Sequence, residues 1–181
     1  MWMWLARDMQ LSEGAAVGLD LACGPMRHRP NFLTDRYVGV DLNPERIERG
    51  LAKHPDATGI VAGLEDIDED TTGDFVICIE TLGINLRFDV GKMMLVMHKI
   101  VDAVRPDGTL IFNIGVDGGF ETQVDELLHA SFKDVDKREY GAGHDRTSTF
   151  ISYTRAKLMH WFPRLRHGSK RKAYYLCRRK I

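Results

Sequence analysis

Three cysteines, Cys23, Cys78 and Cys177, are scattered through 181 residues. They are odd in number, isolated, and set inside apolar strand-like segments. That argues against a disulfide framework or a zinc site and for a reducing cytoplasm. The chain also lacks any run approaching the ~20 apolar residues needed to cross a bilayer. Its apolar start, Met1-Trp2-Met3-Trp4-Leu5, meets Arg7 and Asp8 too early for a signal peptide. There is no internal repeat and no low-complexity linker. Acid is missing from the last fifth of the chain: residues 146–181 carry 11 Lys+Arg and no Asp or Glu, a charge of +11, against −12 for residues 1–145. Either a basic outer face balances an acidic body, or this segment meets something anionic.

What is present fits one α/β domain spanning residues 1–181, since two full domains would be cramped in this length. After a short helical leader (Met3 to Leu11), Ala15–Leu21 reads as a first strand and Tyr37–Asp41 as a second, each with an acid near its end. Pro30 limits the segment between them to a turn or two of helix. Asn43-Pro44-Glu45 opens a helix with an N-cap, a first-position proline and an acid at the positive end of the dipole. Gly50 and Pro55 are expected to close it. Thr58–Ala62 is a third strand, and Asp74–Glu80, a continuous apolar run ended by an acid, is a fourth strand buried on both faces. Apolar residues from Val90 to Val104 fall at helical spacing. Arg105-Pro106-Asp107-Gly108 turns the chain into a fifth strand, Thr109–Gly115. A helix over Phe120–Ser131 and strands over Lys133–Tyr140 and Lys172–Arg179 complete the pattern. Residues 141–171 form a basic insertion between the last two strands. Alternating strands and helices imply a Rossmann-like three-layer sandwich around a mostly parallel seven-stranded sheet, its last strand antiparallel.

The stretch Leu19-Asp20-Leu21-Ala22-Cys23-Gly24-Pro25 resembles the first motif of the class I S-adenosylmethionine-dependent methyltransferases. Tyr37-Val38-Gly39-Val40-Asp41-Leu42-Asn43 resembles the second-strand motif of that family. Asp74–Glu80 matches its fourth strand, and Val104-Arg105-Pro106-Asp107-Gly108-Thr109-Leu110 its turn into the fifth. The four arrive in order over about residues 15 to 116. The resemblance implies S-adenosylmethionine as cofactor, bound by Asp20, Ala22, Cys23, Gly24, Asp41, Leu42, Leu64, Glu65 and Glu80. In that scheme the loop after the first strand opens a helix and offers backbone N–H groups to the methionine carboxylate, with Asp20 near the ammonium. Asp41 holds the ribose hydroxyls; it lies 21 residues after Asp20, about the ~20-residue interval usual for a ribose-binding acid. Leu42 borders the adenine, Leu64 and Glu65 lie against its other edge, and Glu80 lines the methyl path. One departure stands out: the family usually has a further glycine where this chain has Met26.

The implied reaction is displacement of a methyl group from a sulfonium, for which alignment and water exclusion matter more than a dedicated base. Glu80 and His144, the latter in the Gly141–Asp145 loop, are the candidate catalytic residues. No Asn/Asp-Pro-Pro-aromatic signature of DNA base methylation follows the fourth strand. Acceptor recognition then falls to Asp117-Gly118-Gly119 and to the insertion, where Arg155, Lys157, Trp161, Phe162, Arg164, Arg166, Lys170 and Arg171 suit an anionic small molecule, glycan or lipid precursor. Two other readings stand beside this one: an RNA methyltransferase whose tail grips phosphates and stacks on bases, and a cofactor-binding protein without chemistry. Peripheral contact of Leu158–Lys172 with an anionic membrane is an accessory idea.

Overall fold

The computed structural model describes residues 1–83, 89–116, 119–140 and 172–181. Its strands are β1 (Val17–Leu21), β2 (Arg36–Asp41), β3 (Thr58–Val61), β4 (Gly73–Leu82), β5 (Val104–Gly115), β6 (Phe132–Tyr140) and β7 (Lys172–Lys180). They form one sheet in the order β3-β2-β1-β4-β5-β7-β6. Pairing is parallel from β3 across to β5, whereas β7 runs antiparallel to both β5 and β6. The order reverses at β1, next to β4, which is where ligands enter open α/β sheets at the carboxyl ends of the strands. The expected sheet and its antiparallel last strand are both present.

β4 shows why both faces must be covered. Phe75, Ile77 and Ile79 pack with α1 (Trp2–Asp8) and α2 (Pro44–Lys53), through Leu5 and Ile47. Val76 and Cys78 point the other way, to Met93, Val96, Met97, Ile100, Val124 and Leu128 from α3 (Val90–Asp102) and α4 (Glu121–Ser131). Side-chain alternation along an extended chain thus feeds two cores from one apolar run. Asn43 caps α2 by accepting from the Arg46 N–H at 3.2 Å, and Asp89 caps α3 by accepting from the Lys92 N–H at 2.8 Å.

Two sequence expectations change. α2 does not stop at Gly50 but continues to Lys53; Gly50 sits inside the helix, where an added Cβ would lie 2.7 Å from the Met26 Cγ. The glycine serves packing, not termination. The Arg105–Gly108 turn is a bulge within β5: Gly73 pairs with Val104 and Phe75 with Thr109, so the residues between loop outward. The β1–β2 connection is as brief as expected, with a single 3-10 turn at Arg29–Asn31. Pro30 and the shortness of the segment account for that. Among the described residues no helix is long and apolar enough to cross a membrane.

Candidate active site

The loop after β1 is shaped by its own hydrogen bonds. The Cys23 N–H donates to the Val40 carbonyl at 2.9 Å and the Met26 N–H to the Cys23 carbonyl at 3.1 Å. The Gly24 N–H donates to the Asp41 Oδ2 at 2.8 Å, and the other Asp41 oxygen accepts from the Asn43 N–H at 2.9 Å. Asp41 therefore ties the β1 and β2 loops together while lining a cleft of about 680 Å³. Carboxylate-to-amide bonds of this kind are stronger than neutral ones. Together the loop bonds turn the Cys23, Gly24 and Met26 N–H groups inward, and no α-helix begins in this connection.

Met26 replaces the family's glycine without changing its backbone role. Its φ is 56°, the left-handed conformation that glycine favours. The side chain is fully buried at 0% exposure. It fills the space left by three glycines: a Cβ at Gly39, Gly50 or Gly59 would come within 2.7–3.2 Å of a Met26 atom. The strain of about 1–3 kcal/mol for a side chain at this φ is offset by burial of a thioether, worth about 1.5–3 kcal/mol. Met26 points into the core, away from the cleft.

The cleft brings together Ala22, Leu42, Leu64 and Glu65 from the loops after β1, β2 and β3 with Asp41 at the end of β2 and Glu80 near the end of β4. Leu42 is 72% exposed, a large apolar side chain on open display. Glu65 is ion-paired to Lys92 at 2.7 Å, which holds its carboxyl below the usual range. Cys23 and Gly24 line a neighbouring cleft of about 730 Å³ between α1, the first loop and α2. The two clefts share Ala22, Arg46, Ile79 and Glu80. Burial first, then the nearby Asp20 and Asp41, push the Cys23 thiol up, an environment that keeps it protonated.

Asp20 lines neither cleft. It is buried beneath the loop and accepts a hydrogen bond from the Tyr37 hydroxyl at 2.8 Å. Burial raises its carboxyl to about 7, with the Tyr37 bond opposing and the charge of Asp41 adding to the rise.

Glu80 lies at the common edge of the clefts with a φ of 57°. Asn113 of β5, wholly buried, accepts from the Glu80 N–H at 2.6 Å and donates to its Oε1 at 2.7 Å. The same amide nitrogen lies 2.6 Å from the Tyr140 hydroxyl, and Lys172 pairs with the Glu80 Oε2 at 2.9 Å. Asn113, Tyr140 and Lys172 escaped the sequence reading, although one signal was there: a lone amide inside the buried run Thr109–Gly115 must find partners. His144, Asp117, Gly118 and the insertion at 141–171 lie outside the described residues. Of the segment behind the membrane reading, Leu158–Lys172, only Lys172 is described.

No family model matches the chain, and no curated protein sequence does. Solved structures do resemble it. The N-methyltransferase NodS from Bradyrhizobium japonicum WM9 superposes with a TM-score of 0.65 at 13% identity, covering 97% of this chain and 93% of that one. Magnesium protoporphyrin IX methyltransferase (ChlM) from Synechocystis PCC 6803, with bound SAM, gives 0.63 at 14% identity, covering 97% and 75%. CalS10, an amino pentose methyltransferase from Micromonospora echinaspora, gives 0.52 at 21% identity over 61% of this chain, and the match spans about half of CalS10, 48%. With the strand order, the switch point at β1/β4 and the paired acids Asp20 and Asp41 already in place, these likenesses mean that the chain has the three-layer fold of the class I S-adenosylmethionine-dependent methyltransferases.

Proposed function

We propose that the chain is an S-adenosylmethionine-dependent methyltransferase acting on a small-molecule, glycan or lipid-precursor acceptor. The observation that carries this reading is the cleft at the carboxyl ends of β1 to β4, where Asp41, Leu42, Leu64 and Glu65 converge and Asp41 is fixed by two backbone amides. Adenosine needs such a mixture of apolar walls and acceptors for ribose hydroxyls. Each Asp41 oxygen keeps a lone pair beyond its amide bond, so ribose binding and loop tethering are compatible roles. Leu42 and Leu64 border the base, and Glu65 faces its polar edge.

When bound, the cofactor supplies an electrophilic methyl group, so the residues of the chain need to orient and shield the reactants. Glu80 is the residue placed for this, because it faces both clefts and is braced by Asn113 and Lys172. A carboxylate held so firmly favours a cationic neighbour and a fixed acceptor pose. The names of the structural neighbours, which include an amino sugar and a porphyrin among their acceptors, support a small molecule over a polymer. An anionic acceptor would draw on the basic residues of 146–171.

Calorimetry with S-adenosylhomocysteine tests the cofactor assignment. Asp41→Ala is expected to weaken binding at least tenfold; unchanged affinity would remove Asp41 from the site. Transfer of labelled methyl from S-adenosylmethionine into small molecules of a host extract, and none into its RNA, tests the acceptor class. Label recovered in RNA reverses that choice.

A further inference from the structure

β7 enters the sheet at Lys172, which pairs with Gly115 of β5 on one side and with Tyr140 of β6 on the other. Directly paired residues of antiparallel strands present their side chains on one face. Asn113, two residues before Gly115 on β5, shares that face. Gly115 adds no side chain to it, and a Cβ there would meet the Gly83 carbonyl oxygen at 2.6 Å. The end of β4 thus lies against this face of β5, and Glu80 comes within reach of β7.

The Lys172 ammonium stands 2.9 Å from the Glu80 Oε2, while Asn113 holds Oε1 at 2.7 Å. The Lys172 and Glu80 side chains are only 25% and 30% exposed. Their attraction is therefore screened less than at an open surface, and a carboxylate so placed is costly without a cation beside it. Ala22, Arg46, Ile79 and Glu80 line both clefts, and Glu80 is the acid among them. A ligand that occupies both clefts crosses at these residues. In the proposed methyl donor the sulfonium is the link between the adenosine and the amino-acid part.

We propose that Lys172 acts through Glu80 as an internal counter-ion, competing with the positive sulfonium of a bound donor for the same carboxylate. The pair thereby sets how strongly the site prefers the charged donor to its neutral product. This inference rests on the methyltransferase reading above. In the transfer, the methyl–sulfur bond breaks with its electron pair left on sulfur, and a lone pair of the acceptor forms the new bond. The remaining thioether offers Glu80 no charge, and Lys172 takes the carboxylate back. Glu80 thus has a cation beside it in the empty, donor-bound and product-bound states. Asn113 keeps the carboxylate in place throughout, so removing Lys172 releases its charge without moving it.

Titration calorimetry on the full chain reads the affinity ratio of S-adenosylmethionine to S-adenosylhomocysteine, which differ by one methyl group and its charge. Lys172→Met is expected to raise that ratio by about two- to fivefold, the range of a partly exposed ion pair. Sinefungin, with an ammonium in place of the methylsulfonium, shifts in the same direction. Lys172→Arg keeps the positive charge and the wild-type ratio, and Glu80→Gln lowers the ratio below wild type. A purely structural Lys172 would move all three ligands alike. A circular dichroism melt checks the fold, and Lys172→Gln repeats the measurement if the methionine variant melts early. If the ratio is unmoved or falls on loss of the Lys172 charge, the counter-ion role is wrong and the methyltransferase reading stands. If wild type binds none of the three ligands, that reading fails and takes the inference with it.

Discussion

Met26 and Asp20 hold opposite kinds of tension within a few residues of each other. Met26 adopts a glycine-like φ of 56° while filling the space over Gly39, Gly50 and Gly59. Truncation leaves a cavity among glycines, which have no side chains to collapse into it, so Met26→Ala is expected to cost about 2–5 kcal/mol. Met26→Gly leaves a similar void but relieves the left-handed strain. It should be the more stable of the two by about 1 kcal/mol, the reverse of the usual order, as read by urea denaturation. Asp20 binds its proton more tightly when folded, its carboxyl rising from 3.8 to about 7. Between those values the native state holds more protons than the unfolded chain, so this residue makes stability fall as pH rises from about 4 to about 7, with no further change above. Asp20→Asn keeps an acceptor for Tyr37 and carries no charge. Its advantage over wild type should therefore grow from pH 4 to pH 7 in thermal melts and then level off. An advantage that is independent of pH would deny Asp20 a raised proton affinity.

At the scale of elements, β4 and β5 are joined at the rim by one amide side chain. Asn113 satisfies the Glu80 N–H and its carboxylate together, and both are needed because Glu80 turns out of the strand with positive φ. The register between β4 and β5 shifts beyond Cys78, and Asn113 bridges that irregularity where ladder bonds lapse. Lys172 and Tyr140, at the rim ends of β7 and β6, then close around Glu80. The cluster is thus a seam joining four strands. Asn113→Asp sets a second carboxylate against Glu80 and removes a donor to Tyr140. It is expected to destabilise by about 3 kcal/mol or more. The loss should shrink at low pH, where one of the two carboxyls takes up a proton. Urea denaturation at pH 4.5 and 8 measures this, and an equal loss at both would place the seam's strength outside its charges.

At the scale of the molecule, a short β1–β2 connection governs the arrangement. A full crossover helix there would fill the space between α1 and α2. Instead Met26 and Phe32 seal the core beneath, and the space above becomes a second cleft with arginines on its walls.

Much of this was legible in residue order. Strand runs such as Asp74–Glu80 announce burial on both faces, because alternation is lost only when both sides are apolar. Asn43-Pro44-Glu45 announces a helix start through local hydrogen bonding alone. The convergence of Asp41, Leu42, Leu64 and Glu65 followed from strand ends sharing one rim. Other features depend on contacts between residues distant in sequence. Gly50 looks like a helix stop until Met26 is found against it, and Asn113 looks like a stray amide until Glu80 turns toward it. The first loop shows its shape only when the Cys23, Gly24 and Met26 amides are found bonded to Val40, Asp41 and Cys23. Periodicity and capping are local, and so the sequence by itself determined the sheet, its order of motifs and the rim where a ligand enters. Which polar groups remain free at that rim depends on the other groups folded against them, and only the tertiary structure decided it.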